Sequence, residues 1–343
     1  MSGGRPLPYS PSWVDRLTDR IDALPGPAWV PYAVVGVTVF IVAHVTAWAE
    51  GLVTASTLDP YVTSIAIYIV TSFAAIHYLD WAAGRAWAAF RPAVQLDDAE
   101  ATRVAYELTT MPARPTLLWA TLGAVFAIGY TADVYGKPID LEGEPITFVL
   151  SLVLSLISFA AAAAFIYHTI RQLRLISRVH GYVDRVDLLH LDPLHAFAGV
   201  TATTAIILLG IVYLSVLTDP ATFTSPTLFA FTIATIPLAT ACFVVPLYGI
   251  HQRIVAEKSA RLAAVNGRLD AALRDLDRRA DERDLSEADA FNKHLSSLLA
   301  QRDVIARAPT WPWAPETLRG FATALVLPIV LWLTFRLLEG QIG

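Results

Sequence analysis

The sequence predicts an all-α, polytopic membrane protein with seven transmembrane helices, a cytoplasmic N-terminus and an outside C-terminus. A long cytoplasmic helical hairpin is expected between helices 6 and 7. Three observations predict this. First, of 343 residues, 55% are hydrophobic and only 16% are Asp, Glu, Lys or Arg, with a mean hydropathy of +0.52. An average soluble domain carries roughly 25% charged residues. Second, the apolar residues gather in runs long enough to cross a bilayer, which takes ~20 residues. Third, Lys and Arg alternate between the segments that separate those runs. A soluble chain of this composition would expose apolar patches and aggregate, and a disordered one would need far less hydrophobicity.

The seven runs are 29–49, 61–81, 115–131, 145–170, 194–217, 226–250 and 321–338. The fourth continues as helical-looking sequence to His180. Pro31, Pro60, Pro115, Pro145, Pro193, Pro226 and Pro315 stand at the starts of the spans, where a missing amide proton costs nothing. Asp59 and Asp192 precede two of these prolines and are expected to cap exposed amides. Pro237, Pro246 and Pro328 fall inside spans and predict kinks. Counted by compartment, 23 Lys and Arg lie on one side and 2 on the other. Cationic loops stay in the cytoplasm, so the chain is expected to be a multi-pass plasma-membrane protein with its N-terminus and hairpin inside.

Four regions follow: a cytoplasmic N-terminal segment (1–28), a six-helix transmembrane domain (29–250), a cytoplasmic hairpin (251–315), and the seventh helix with its outer tail (316–343). The first lacks the short apolar core of a secretory signal peptide. In the hairpin, Val255, Leu262, Leu269 and Leu276 recur every seven residues, a coiled-coil seam. The sixth helix is expected to run unbroken into it. After a charged stretch, Ser286 starts a second helix whose apolar face includes Leu295 and Leu298. This seam is the candidate oligomerisation surface. Trp311-Pro312-Trp313-Ala314-Pro315 then turns the chain back to the membrane, with both Trp at the headgroup level.

Chemistry is sparse. Catalytic motifs are absent, so no enzyme and no cofactor are expected. The single cysteine, Cys242, excludes an intrachain disulfide. A net charge of −5 argues against a nucleic-acid partner. The excess of Arg over Lys fits a GC-rich genome. All three lysines lie outside the spans, which excludes a retinal Schiff base. His190, Asp192 and His195 are the best metal-ligand types in proximity, but Pro193 breaks the helix face they would share, so no metal is expected. Ionisable groups in spans are functional candidates. Here they are His44, His168, and the pair His77–Asp80, three residues apart and expected to share a face. Thr323, Leu327, Val330 and Thr334 fall on one face of the seventh helix, followed by Arg336 and Glu339. In an oligomer that face would line a narrow pore able to gate by dewetting.

Seven spans, cytoplasmic helical extensions and a helical region before the last span resemble the seven-transmembrane ion channel superfamily, which includes insect odorant and gustatory receptors. Its insect members carry a Thr-Tyr…Gln-Phe signature in the last span; this chain has only Thr334-Phe335 there. The resemblance implies a homotetrameric, ligand-gated channel, an anchor domain over 251–315 and a pore helix over 316–338. It also implies a ligand pocket among the first six helices, open to the outer face. Trp48, Tyr68, Trp119, Tyr130 and Tyr213 are its aromatic candidates. The alternatives are a membrane sensor or scaffold acting through the hairpin and a small-molecule transporter.

Overall fold

The computed structural model describes residues 7–55, 57–135, 145–183, 186–218, 226–282, 288–313, 316–326 and 330. The helices are α1 (Trp13–Asp22), α2 (Trp29–Ala49), α3 (Pro60–Phe90), α4 (Asp98–Thr109), α5 (Ala113–Tyr135), α6 (Pro145–His180), α7 (Ala198–Thr218), α8 (Pro226–Asp281) and α9 (Ala288–Arg307), followed by α10 (316–326). Short 3-10 turns at Arg91–Ala93 and Asp192–His195 complete the described architecture. Among the described residues the only β pairing is a single bridge between Pro11 and Pro112.

Five of these helical stretches are long and apolar enough to cross a membrane: Trp29–Ala49, Pro60–Ala93, Ile146–His180, Asp192–Leu214 and Ile233–Asp281. They match the first, second, fourth, fifth and sixth predicted runs. The third run is helix α5 but falls outside this group, and most of the seventh lies outside the described residues. Large apolar side chains on these helices face outward: Val34, Val37 and Ile41 on α2, Leu118, Leu122 and Val125 on α5, Leu238 and Val245 on α8. A soluble protein would bury them; against acyl chains they cost nothing.

Helix α3 is the spine. Ile69, Phe73, Ile76, Leu79, Ala83 and Phe90 repeat at helical spacing and are buried. Side-chain pairs fix the relative directions. Tyr61 meets Ser155 at 2.7 Å and Asp80 meets His168 at 2.8 Å, so α3 and α6 run parallel. Ser64 meets Thr218 at 3.0 Å and Phe90 packs on Phe197, so α7 runs against α3. Tyr32 lies beside His77 and His44 beside Thr63, which makes α2 antiparallel to α3 as well. Trp119 stacks on Tyr167 and Tyr130 packs on Phe159, so α5 and α6 form a hairpin. Helices α1 and α4 sit at the end of the bundle that bears the α8–α9 hairpin.

The ends are satisfied by side chains. Asp59 accepts the Val62 amide at 2.8 Å, as expected of an N-cap. Asp192 does not cap: it enters the 3-10 turn after Leu191, and no side chain caps that turn. Glu50, at the end of α2, accepts the Ile146 and Thr147 amides at 3.0 and 2.7 Å, and so caps α6 from another helix. A carboxylate there also meets the positive end of the helix dipole.

Helix α8 is continuous for 56 residues, through Pro237 and Pro246. That is about 84 Å at ~1.5 Å per residue, far more than the ~30 Å hydrocarbon core. Its distal half pairs with α9. Lys258 donates to the Ala306 and Ala308 carbonyls, both at 2.7 Å, and caps the end of α9.

Helices α5 and α6 touch through Gly123, where a Cβ would lie 2.2 Å from the Phe159 carbonyl oxygen and 2.7 Å from the Ala163 Cβ. Gly123→Leu is expected to force the pair apart and destabilise by about 1–3 kcal/mol. Gly129→Ala and Gly210→Ala, with open space around them, are expected to leave stability unchanged or raise it. Thermal unfolding in detergent separates the two outcomes.

Candidate functional site

The most polar buried region lies where α3, α6, the N-terminal segment and the α4–α5 connector meet. Asp80 on α3 accepts from His168 Nε2 at 2.8 Å; their side chains are 13% and 2% exposed. One turn further along α6, Gln172 Nε2 faces the Leu79 carbonyl at 3.3 Å, Asp80 Oδ1 at 3.4 Å and the Leu108 carbonyl at 3.2 Å. Between them in sequence, Arg171 donates to the Tyr9 hydroxyl and lies over its ring. That hydroxyl donates in turn to the Thr110 carbonyl at 2.9 Å. Burial pushes it above its ordinary pKa, against the pull of Arg171.

The N-terminal segment is locked into this region. Ser12 and Asp15 form a capping box that starts α1. The same Asp15 carboxylate accepts the Met111 amide at 3.1 Å, and Ser12 donates its amide to the Met111 carbonyl at 3.0 Å. One carboxylate therefore satisfies two segments far apart in sequence. The spacing Ser12-x-x-Asp15 was the available signal. Arg171 and Gln172 carried none, because a polar residue in a helical extension reads as solvated.

The pairing of His77 with Asp80 does not form. His77 Nε2 meets Asp22 of α1 at 3.0 Å, and its Nδ1 meets the Tyr32 hydroxyl at 3.0 Å. Asp80 turns the other way, to His168. His44 is locally satisfied by the Phe40 carbonyl at 2.9 Å and Thr63 at 3.3 Å.

The other expected residues are scattered. Trp48 donates to the Thr57 carbonyl at 2.9 Å and closes the α2–α3 turn. Trp119 stacks on Tyr167, Tyr130 packs on Phe159, and Tyr213 bonds the Ala324 carbonyl. Tyr68 is half-buried on α3. A cleft of about 680 Å³ instead lies between the two 3-10 turns, lined by Pro92, Ala93, Gln95, Asp187, His190, Pro193 and Leu194. His190 pairs there with Asp187 at 3.0 Å, apart from Asp192 and His195. Among the described residues no three His, Cys, Asp or Glu side chains gather to hold a metal.

The heptad seam closes within the chain. Leu262, Leu269 and Leu276 are half-buried with Val265 and Ala272 buried between them, this part of α8 pairs with α9, where Leu295 is half-buried and Leu298 buried, and Val255 is exposed. At its base a stack of five rings runs from Phe321 of α10 to Phe243 of α8 (4.3 Å), Trp313 (4.7 Å), Trp311 (4.4 Å) and His251 (3.7 Å). The two Trp expected at headgroup level therefore stack on each other. On α10, Thr323 is exposed, as is Val330 just beyond it, whereas Phe321 is buried and Ala324 and Leu325 pack on α7 and α8. Leu327, Thr334, Arg336 and Glu339 lie outside the described residues.

Long apolar helices with an outward apolar girdle define an integral membrane protein of several helical spans. Comparison with family models, with curated proteins and with solved structures finds no match.

Two outcomes are expected here. Asp80→Ala leaves the buried His168 Nε2 without its partner and costs about 1–3 kcal/mol, whereas Asp22→Ala, at an exposed carboxylate, costs under ~1 kcal/mol; denaturation in detergent reads both. The Leu189 amide, then His190, holds the Asp187 carboxyl below its ordinary pKa. The turn is thus stabilised above the ordinary carboxylate range and loosens as pH falls through the lowered value. Hydrogen exchange at the Leu189 amide, followed downward in pH after correction for intrinsic rates, is expected to lose protection only there.

Proposed function

We propose that the protein is a homo-oligomeric, channel-like membrane protein that catalyses no reaction. In this reading seven helices cross the plasma membrane from a cytoplasmic N-terminus, and copies of α10 and its continuation line a central path. The observation that carries it is the split of α10 into two faces. Phe321, Ala324 and Leu325 pack on the chain's own α7 and α8, and Thr323, from the face predicted to line a pore, is exposed, as is Val330.

Two further features support it. The alternating helix directions fit successive crossings, and the charge asymmetry gives them a sense. The five-ring stack joins α10 to α8 and to the base of the hairpin, so hairpin and last helix move as one unit. Since the hairpin seam is filled within the chain, subunit contacts fall on its outer faces, where Val255, Leu273, Leu299 and Val304 are exposed. A tetramer is the stoichiometry that the family resemblance implies.

Thr323→Cys and Val330→Cys, each with Cys242→Ser, are expected to crosslink between subunits in oxidised membranes, while Val34→Cys on α2 does not. Liposomes bearing the unaltered protein should pass ions, and crosslinking should change the flux. Monomers at every detergent and lipid ratio, with tight liposomes, would sink the proposal.

A further inference from the structure

We propose that the exposed face of α3 formed by Tyr78, Trp81 and Arg85 binds the headgroup of an anionic phospholipid. The site needs neither an oligomer nor a pore, so it stands or falls apart from the channel reading. It rests first on local geometry. Positions 78, 81 and 85 share one face of the helix. Tyr78 and Trp81 are 49% and 52% exposed, with ring centroids 5.5 Å apart. The Arg85 guanidinium lies over the Trp81 ring, 4.9 Å from its centroid. Stacking of this kind occupies the flat face of the guanidinium and leaves its N–H edge free. No carboxylate takes that edge. Among the described residues Arg85 forms no ion pair, whereas Arg103 and Arg178, also exposed, share Glu107.

Helix register places this face where the hydrocarbon ends. Asp80 pairs with His168, and Trp119 stacks on Tyr167, so α3, α5 and α6 share one level there. From that level Arg85 lies five residues toward the hairpin end on α3 and Arg174 six on α6. Arg114 lies five residues the same way on α5, which runs in the opposite sense. At ~1.5 Å per residue all three stand about 8–9 Å beyond the shared level. All three are exposed, and none forms an ion pair among the described residues. Four residues deeper on each helix an apolar or aromatic side chain is exposed: Trp81, Leu118 and Ile170. Three outward stripes thus change from apolar to cationic at one depth. Acyl chains give way to phosphates at such a boundary, and Trp and Tyr gather there.

Charge and shape select the partner. The planar fork of an arginine matches two oxygens of a phosphate. A zwitterionic headgroup brings its own cation to that phosphate. An anionic headgroup keeps a net negative charge, which unpaired arginines at the membrane surface attract. With its phosphate on Arg85, such a lipid would run its acyl chains past Trp81 and Tyr78.

The test is native mass spectrometry of the purified full-length chain in detergent, with phosphatidylglycerol and phosphatidylcholine added together at equal concentration. We expect phosphatidylglycerol to be retained about fivefold over phosphatidylcholine, the ratio that one arginine near an anionic surface is worth. The excess should drop in Arg85→Gln and in Trp81→Leu and persist in Arg103→Gln. Glycerol 3-phosphate added in excess should not displace the lipid. Equal retention of the two lipids, an undiminished excess in Arg85→Gln, or displacement by glycerol 3-phosphate overturns the proposal. Loss of an oligomer in Arg85→Gln with the lipid excess intact also overturns it, and would make this face a contact between copies of the chain.

Discussion

The contact between α3 and α6 is the constraint on which the rest of the structure depends. The two helices run parallel, and α4 and α5 return the chain between them. The cost of that return is a set of backbone groups at the hairpin end of the bundle, left without helical partners. They are met by side chains: Asp15 takes the Met111 amide, Gln172 and Tyr9 reach the Leu108 and Thr110 carbonyls, and Arg171 holds Tyr9. The N-terminal segment is thereby part of the bundle, and Asp80 with His168 is buried as a consequence.

Much of the architecture was legible because its signals are periodic. Apolar runs of membrane length coincide with α2, α3, α6, α7 and α8, and Asp59 caps α3 as its position before Pro60 demands. The heptad from Leu262 to Leu276 is a true seam, but a heptad does not say whether its partner is the same chain. Helices α1 and α4 were missed because they are short and polar; tertiary packing stabilises them, and a local window does not register it. The fate of His77 and Asp80 shows the same limit. A spacing of three places two side chains near one another, yet each found a better partner on another helix, Asp22 on α1 and His168 on α6. Gln172 could not be singled out at all, since its significance lies in carbonyls from α3 and α4.

The two ends of the chain are treated differently. The N-terminal segment is held by hydrogen bonds and charge, which demand fixed geometry. The last helix is held by stacked rings, from His251 through Trp311, Trp313 and Phe243 to Phe321.

Imaging the protein in lipid nanodiscs tests most directly whether the last helix surrounds a shared path. The expected result is a symmetric assembly in which the 316–326 helices lie nearest the axis, with Thr323 facing it. A monomer, or an assembly that carries these helices on its lipid-facing perimeter, would contradict the channel-like arrangement.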